Sequence, residues 1–348
     1  MPRVRPLAVI NARAAARLEI GGVERWAREI AARLPALRPG AYLVARPPRA
    51  LAHRAGHAWE QVALPALAAA RSAGVVVSPA NLAPLAWPRN VLVVHDVSAL
   101  RHPEWYGRAY ASWQRALLPA LARRAARVVT VSEFSRAEIA ATTGVDAARV
   151  SVVPGGVDGR FVPDAPAGAA RRALGLERTY VLTVATHGAR KNLAALAPAA
   201  SALAERGVDL VAAGGRRGYL PGAEAAPGLR AAGYVDDALL PGLYAGAAAF
   251  VLASRYEGFG LTCLEAMAAG VPVVAAAAGA LPEVCGGAAL LVDPDDSDAL
   301  AGAVLRCLDD ADLAARQRAA GRERAAAFGW DRTARELDAV VCDVVAEP

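Results

Sequence analysis

Lysine is almost missing from this chain of 348 residues: Lys191 is the only one, and every other basic side chain among the 39 is an arginine. Chemistry that needs a primary amine, such as a Schiff base, is therefore restricted to one position. The basic residues form no compact block, because the arginines are scattered along helix-like segments among glutamates. A net charge of +6 in that arrangement predicts a solvated surface with a mild preference for anionic substrates, and no nucleic-acid partner.

Cysteine is also scarce, and its spacing argues against a disulfide framework and against a cysteine-based zinc site. A disulfide framework or a cysteine-based zinc site needs closely spaced cysteines, or a histidine at ligand spacing from a cysteine, and the sequence has neither. We expect free, buried thiols in a reducing compartment. The four cysteines stand about twenty or more residues apart, at Cys263, Cys285, Cys307 and Cys342.

Long apolar runs are absent, although the hydrophobic fraction is 55%, much of it alanine. No stretch of about 18 strongly apolar residues occurs, and a charged start leads straight into a strand-like run. We therefore expect no signal peptide and no spanning helix, and a cytoplasmic protein. The length suits two domains of ordinary size.

Short apolar, β-branched runs alternate with helix-like stretches along the whole chain. Continuous apolarity is typical of strands covered on both faces, and strands alternating with helices indicate βαβ units. The sequence therefore predicts an α/β protein with two Rossmann-like, doubly wound parallel sheets. The predicted strands are Leu7–Ile10, Tyr42–Ala45, Val75–Ser78, Val91–His95, Val128–Ser132, Val150–Pro154, Tyr180–Ala185, Asp209–Ala213, Ala248–Leu252, Val271–Ala275 and Ala289–Asp293.

Three domain segments follow from the breaks in this pattern. Glycines and prolines between 154 and 169 interrupt any regular element. We predict an N-terminal domain over 1–160, a C-terminal domain over 161–330, and a closing helix over 331–348 that crosses back to the first domain. The clearest helix face follows Gly22 and consists of Val23, Trp26, Ala27, Ile30 and Leu34.

The stretch Tyr256–Glu265 holds the strongest candidates for chemistry, since it follows a predicted strand and opens a helix. In open α/β sheets, ligands bind where strands end and helices begin. Gly258 and Gly260 permit close backbone approach, and the amides of Phe259–Thr262 would form an anion site at the helix N-terminus. Glu257 and Glu265 can face one crevice, where carboxylates accept hydrogen bonds from sugar hydroxyls. On spacing alone, a turn with a dipole-compensating Glu265 explains the pattern equally well.

The whole constellation resembles the signature of the family 4 glycosyltransferases, which are retaining enzymes of the GT-B fold. The match begins with Glu257-x7-Glu265 and continues through Leu264-Glu265-Ala266-Met267-Ala268-Ala269-Gly270-Val271-Pro272. It runs from Asn11 to about Trp330 and implies two Rossmann-like domains that face a central cleft. Further matching segments are His95-Asp96, His102-Pro103-Glu104-Trp105-Tyr106, Val131–Arg136, Pro154–Asp158, Arg190-Lys191-Asn192 and Leu281–Val284.

The resemblance implies a role for each matching residue. Glu265 would hold the ribose hydroxyls, Glu257 and His95 would contact the donor sugar, and Arg190 and Lys191 would bind the pyrophosphate. A departing nucleoside diphosphate gains negative charge, and positively charged side chains beside it stabilise that charge. Gly22 would lie near the β-phosphate and the acceptor, and the loop amides along the sugar and phosphates. The expected catalytic residues are thus His95, Glu257, Lys191 and Arg190, and the donor-binding residues are Gly22, Arg190, Lys191, Glu257, Gly258, Phe259, Gly260, Leu261, Thr262 and Glu265.

No metal or cofactor is expected, since the nucleotide sugar is a substrate and the cationic residues and helix amides would neutralise its pyrophosphate. Asp293-Pro294-Asp295 satisfies the DxD pattern of a different transferase fold, but its position after a strand favours turn and N-cap residues. Met267, the only methionine after the first residue, is interpreted as core filler.

The expected reaction is retaining transfer of a hexose from a GDP- or UDP-activated sugar to a hydroxyl of a saccharide, a lipid-linked sugar or a small metabolite, in glycan or secondary-metabolite biosynthesis. The alternatives are a nucleotide-sugar epimerase or a phosphorylase of the same fold, and a nucleotide-sugar-binding protein without catalysis. The basic, partly amphipathic segment 109–127 leaves peripheral contact with the inner membrane face open, although a solvated helix is the favoured interpretation.

Overall fold

The computed structural model describes residues 6–48, 56–215, 217–222 and 225–347. The chain divides into two compact units, each discontinuous in sequence. The first unit comprises Met1–Arg101, Ser112–Gly156 and Trp330–Pro348, and the second comprises His102–Ala111 and Val157–Gly329.

The assignment of His102–Ala111 to the second unit differs from the predicted continuous domain over 1–160. The reason is a set of local contacts with a loop of the second unit. The Gly107 amide donates a 2.9 Å hydrogen bond to the carbonyl oxygen of Tyr219, and the rings of Tyr106 and Tyr110 stack on the Tyr219 ring.

The sheet of the first unit is wholly parallel, with strand order β2-β1-β3-β4-β5-β6. Its central strands are fully buried, which explains their continuous Val/Leu/Ile runs. The strands are β1 Ala8–Asn11, β2 Tyr42–Ala45, β3 Val75–Ser78, β4 Asn90–Val93, β5 Arg127–Thr130 and β6 Val150–Val152; the helices are α1 Gly22–Leu37, α2 Gly56–Ala70, α3 Ser98–Arg101, α4 Arg108–Arg124, whose first residues belong to the second unit, α5 Glu133–Thr143 and the closing α13 Trp330–Ala346.

The sheet of the second unit is also parallel, with strand order β12-β11-β10-β7-β8-β9. The two-domain α/β prediction is therefore confirmed. The strands are β7 Tyr180–Val184, β8 Asp209–Ala213, β9 Leu229–Gly233, β10 Ala249–Leu252, β11 Val273–Ala276 and β12 Leu290–Val292; the helices are α6 Ala167–Leu174, α7 Ala197–Glu205, α8 Leu240–Ala245, α9 Leu261–Ala268, α10 Leu281–Cys285, α11 Ser297–Asp309 and α12 Ala311–Ala326.

Strand β9 was not predicted. Its sequence, Leu-Arg-Ala-Ala-Gly, lacks β-branched residues, and it pairs only with β8 at the edge of the sheet, where most of its side chains are partly or fully exposed. Unlike the edge strands β2 and β12, β9 carries no run of large or β-branched apolar residues, so the pattern that reveals the other strands is missing here.

The predicted helix face after Gly22 is confirmed. Trp26, Ala27, Ile30 and Leu34 form the buried face of α1, while Val23 is half-buried. All four cysteines are free; three are buried and Cys342 is partly exposed. Within the described ranges, no helix combines the length and apolarity needed to cross a membrane.

Candidate functional site

The site in the second unit is built at the carboxyl edge of its sheet, beginning where β7 and β8 end. Gly214 follows β8 with φ +149, and a Cβ there would lie 1.9 Å from the carbonyl oxygen of Ala185. Only glycine therefore fits, because this close approach of two chains leaves no room for a side chain. The turn 185–188, which leads into the two predicted cationic residues, is therefore held against the chain that follows β8.

The cationic residues lie on a 3₁₀ turn, Ala189–Lys191, that ends at Asn192 with φ +53. Asparagine is among the residues that tolerate this left-handed conformation. The Asn192 side chain also donates a 2.8 Å hydrogen bond to the carbonyl oxygen of Pro294, which ties the turn to the loop after β12. This double anchoring fixes the position of Arg190 and Lys191.

Both cations converge on Glu257. Lys191 Nζ lies 2.5 Å from Glu257 Oε1, and Arg190 Nη1 lies 3.9 Å from Glu257 Oε2. The Glu257 side chain is 9% exposed. Burial raises the pKa of this carboxyl group, but Lys191 and Arg190 outweigh burial, and the pKa is lowered overall. Glu257 is therefore an anion at neutral pH, and two cations beside one carboxylate leave local positive charge for an anionic ligand.

The backbone of Glu257 is held by the loop after β11. The Ala280 amide donates a 2.9 Å hydrogen bond to the Glu257 carbonyl oxygen. Gly279, with φ +59, makes that approach feasible, since its Cβ would lie 2.5 Å from the same oxygen and 2.7 Å from the Glu257 nitrogen. Gly279 thus positions Glu257 without contributing a side chain.

Helix α9 begins at Leu261 after Gly260, whose φ of +108 strongly favours glycine. A Cβ on Gly260 would also lie 2.6 Å from Leu281 Cδ2. The first amides of any helix lack intrahelical acceptors, so those of Leu261 and Thr262 remain suited to an anion. The Phe259 ring instead packs edge-on against Phe328, at 5.8 Å between centroids, and so has a structural role of its own.

Glu265 lies on the second turn of α9 and is 3% exposed. The Tyr244 hydroxyl, on α8, donates a 2.9 Å hydrogen bond to Glu265 Oε2. A carboxylate that accepts this bond still has lone pairs for further donors, including a vicinal diol.

Two predicted residues, His95 and Gly22, belong to the first unit. His95 is 8% exposed; its Nε2 lies 2.9 Å from the carbonyl oxygen of Pro79, and its ring packs edge-on against Trp26 of α1. Burial lowers the pKa of His95, so the ring is neutral at pH 7. Because a carbonyl oxygen can only accept, Nε2 carries the proton and Nδ1 is the acceptor nitrogen.

Gly22 is the first residue of α1 and is exposed. No atom of the residues that the structure describes lies within 4 Å of the position that its Cβ would take. The protein itself therefore does not require glycine here, and the space is open to a ligand. The preceding Gly21 amide is already satisfied, since it donates a 3.0 Å hydrogen bond to Glu24, which in turn pairs with Arg17.

The structure thus brings Arg190, Lys191 and Glu257 into direct contact, and it places Gly258–Thr262 and Glu265 on the adjoining loop and helix. Sequence reasoning missed Tyr244 and Gly279, which hold the two glutamates. The available signal for Tyr244 was a tyrosine within an apolar stretch, because a buried tyrosine hydroxyl usually finds a hydrogen-bond partner.

A second polar group was also missed, at the end of β1. Asn11 Nδ2 donates a 2.5 Å hydrogen bond to Glu60 Oε1, and Arg13 Nε lies 3.3 Å from Glu60 Oε2. All three residues are at most 3% exposed. Asn11 ends β1, Arg13 follows it, and Glu60 lies on α2, which is distant in sequence, so no local motif could have revealed them.

The Asp-Pro-Asp segment forms a turn, as predicted. Asp293 Oδ1 accepts a 2.9 Å hydrogen bond from the Asp295 amide, and Asp295 pairs with Arg255. The N-cap of α11 is the next residue, Asp296, which accepts from the Ala299 amide. No group of three or more histidine, cysteine or acidic side chains in the described parts of the chain is arranged to hold a metal ion.

Two family models match the chain, one in each half. The model of the Glycosyltransferase Family 4 matches residues 20–161, and that of the Glycosyl transferases group 1 matches residues 178–310. The second match contains the cationic turn and both glutamates.

Individual relatives agree with these matches. The O-antigen chain mannosyltransferase B of Escherichia coli is 33% identical over 265 residues, which cover 70% of this chain and 67% of that protein. The D-inositol 3-phosphate glycosyltransferase of Salinispora arenicola is 36% identical over 252 residues, covering 63% and 55%. Among solved structures, sucrose-phosphate synthase from Thermosynechococcus elongatus is similar with a TM-score of 0.77 at 21% identity, covering 99% of this chain and 100% of that one. Anabaena HepE in complex with UDP and glucose has a TM-score of 0.72 at 20% identity, covering 97% and 99%.

Proposed function

The chain belongs to glycosyltransferase family 4, and from that premise we propose that it transfers a hexose from a nucleoside diphosphate sugar to a hydroxyl group of a saccharide acceptor, with retention at the anomeric carbon. The observation that carries the proposal is the convergence of Arg190 and Lys191 on the buried Glu257. That arrangement combines positive charge for a diphosphate with a carboxylate for sugar hydroxyls.

In the proposed mechanism, Arg190 and Lys191 stabilise the departing diphosphate, and no metal is needed for that task. The bond between the anomeric carbon and the β-phosphate oxygen breaks on the same face on which the acceptor oxygen attacks. The acceptor proton passes to the leaving phosphate. Glu257 contacts sugar hydroxyls rather than attacking the anomeric carbon, because two cations already stabilise its charge and thereby lower its nucleophilicity.

The site speaks against the phosphorylase alternative. A pyridoxal-phosphate phosphorylase needs a lysine that forms a Schiff base, and Lys191 is the only lysine of the chain. Such a lysine must lose its proton, whereas Lys191 lies 2.5 Å from an ionised carboxylate that stabilises its ammonium form. An epimerase or a binding protein without catalysis remains a distinct outcome of the experiment below.

The first donors to test are GDP-mannose and UDP-glucose. One relative is named as a GDP-mannose-dependent mannosyltransferase of Mycobacterium tuberculosis, 35% identical over 232 residues, and a similar solved structure is a complex with UDP-glucose. We propose mannose as the transferred sugar, because the O-antigen relative is also named a mannosyltransferase.

The decisive experiment incubates the purified protein with each donor, without an acceptor and then with simple mannosides, in the presence of EDTA. We expect release of the nucleoside diphosphate and, by NMR, a product with the donor's anomeric configuration. Glu257→Gln should lower turnover at least about a hundredfold. Full turnover by that variant would contradict the role of Glu257, an epimerised donor would favour the epimerase, and binding without any consumption of donor would favour a binding protein.

A further inference from the structure

Glu265 is held by a buried tyrosine that the family signature around Glu257–Glu265 does not include. The Tyr244 hydroxyl donates a 2.9 Å hydrogen bond to Glu265 Oε2, and both residues are buried, with exposures of 0% and 3%. A buried carboxylate that accepts a hydrogen bond from a fixed donor loses rotational freedom.

The tyrosine ring itself is tightly fixed. It forms a T-shaped pair with Phe161, at 5.6 Å between ring centroids, and a tilted pair with Phe250 of β10, at 5.7 Å. With the ring held on two sides, the hydroxyl has one position, and Glu265 lies in front of it.

Helix α8, which carries Tyr244, is also fixed against its neighbours. The Tyr180 hydroxyl donates a 2.7 Å hydrogen bond to the Leu243 carbonyl oxygen. A Cβ on Gly242 would lie 2.3 Å from the carbonyl oxygen of Pro166, so this face of the helix packs directly on the backbone. Such close packing suits an element whose task is to hold one hydroxyl in place.

We propose that Tyr244 is a positioning residue, whose hydroxyl holds the Glu265 carboxylate in the orientation that accepts hydrogen bonds from the ribose hydroxyls of the nucleoside diphosphate. This inference rests on the proposed function, in which Glu265 binds the ribose. Its consequence is that the preference of the enzyme for ribose over deoxyribose depends on Tyr244, although Tyr244 does not touch the nucleotide.

The test compares the affinities of GDP and UDP with those of their 2′-deoxy and 3′-deoxy forms by titration calorimetry. The variant Tyr244→Phe keeps the ring and removes the hydroxyl. The matched control is Tyr180→Phe, which removes another buried hydroxyl that bonds to the same helix without touching Glu265. Glu265→Gln serves as the reference for a weakened ribose site.

We expect the wild type and Tyr180→Phe to bind the ribonucleotide about tenfold more tightly than its deoxy forms, the scale of one hydrogen bond to a charged group. Tyr244→Phe should bind the ribonucleotide about tenfold more weakly and discriminate against the deoxy forms less than about threefold. In turnover, it should raise the donor KM with little change in kcat.

Two results would overturn the inference: equal weakening of ribo and deoxy ligands by Tyr244→Phe, or the same loss of discrimination in Tyr180→Phe. Because the discrimination is a ratio within each protein, partial unfolding of a variant cancels. If Glu265→Gln loses discrimination while Tyr244→Phe keeps it, the positioning role alone fails. If the wild type binds neither GDP nor UDP, the proposed function fails together with the positioning role.

Discussion

At the scale of single residues, the pair Lys191–Glu257 carries the largest electrostatic consequence. The carboxylate is nearly buried, and its charge is tolerated because an ammonium lies at 2.5 Å and a guanidinium at 3.9 Å. Removing one partner of a buried pair leaves the other uncompensated, which costs more than the pair contributes. The two residues should therefore show strong energetic coupling.

We expect Lys191→Met to lower the free energy of unfolding by about 2 kcal/mol, because Arg190 alone compensates Glu257 poorly. The double variant Lys191→Met/Glu257→Gln should recover at least half of that loss, since no buried charge remains. Urea unfolding of the four proteins in the cycle measures both values. Activity should stay low in every variant. If Lys191→Met or Glu257→Gln alone were as stable as the wild type, the proposed coupling would be contradicted.

The same carboxyl group predicts a pH dependence with a definite sign. Burial raises the pKa of Glu257, but Lys191 and Arg190 lower it below its unfolded value of about 4.3. The stabilisation is therefore complete above that value and is lost as the pH falls through the folded pKa. The difference in unfolding free energy between the wild type and Glu257→Gln should be constant from pH 6 to 8 and shift against the wild type on acidification below about pH 4. A shift in favour of the wild type on acidification would mean that burial dominates.

A substitution at Gly22 can show whether glycine is needed there for donor binding or for the stability of the fold. The space at its Cβ is open, and alanine at the start of a helix is at least as favourable as glycine. Gly22→Ala should therefore unfold at an unchanged or slightly higher temperature, while its activity falls at least about tenfold because the methyl group occupies space for the donor phosphates. The matched control is Gly302→Ala, in the middle of α11 and equally open, which should keep full activity. Full activity of Gly22→Ala would remove Gly22 from the donor site.

The residues that sequence reasoning found are those within local motifs, such as Arg190-Lys191 and Glu257-x7-Glu265. The residues that it missed act through tertiary contacts. Tyr244 lies 21 positions before Glu265, and the need for glycine at position 279 arises from the Glu257 backbone. No spacing rule connects such pairs, because only the packing of α8 and of the loop after β11 brings them together.

At the scale of elements, the predicted strands agree with the structure to within one or two residues. The runs at Tyr42–Ala45, Val75–Ser78 and Asp209–Ala213 have the predicted bounds. The edge strand β9 was missed, since its sequence, Leu-Arg-Ala-Ala-Gly, lacks the β-branched apolar run on which such a prediction depends. The sequence pattern thus reveals a strand only where large or β-branched apolar residues run together, as they do even in the partly exposed edge strands β2 and β12.

The loop between β11 and α10 supplies an element-level prediction. Gly279→Ala combines an unfavourable φ with a contact of 2.5 Å to the Glu257 backbone. We expect a loss of about 3 kcal/mol in unfolding free energy and a raised donor KM, since Glu257 must shift. Gly144→Ala is the control: its φ of +72 is equally unfavourable, but nothing lies within 4 Å, so it should lose about 1 kcal/mol and keep normal kinetics. Equal losses in both variants would show that the contact with Glu257 has no effect.

At the scale of the whole molecule, each unit is assembled from distant parts of the chain. The first unit is completed by the closing helix α13, whose Trp330, Leu337 and Val341 are at most 2% exposed. Asp338 on α13 accepts hydrogen bonds from Arg38 and from the Tyr42 hydroxyl. By contrast, the residues proposed to bind the nucleotide lie in the second unit, with the exception of Gly22.

A chain truncated after Gly329 should therefore lose the cooperative unfolding transition of the first unit and keep that of the second. The reason is that α1 and β3 would expose the apolar surface that α13 covers, and the loss of several buried side chains exceeds the stability of a typical domain. Scanning calorimetry measures the transitions, and the donor nucleotide should still raise the temperature of the remaining one, because its proposed contacts with the second unit are retained. The control is a chain that ends at Ala346, which keeps α13 and lacks only the final two residues. Two transitions at wild-type temperatures in the shorter chain would show that α13 is dispensable for the first unit.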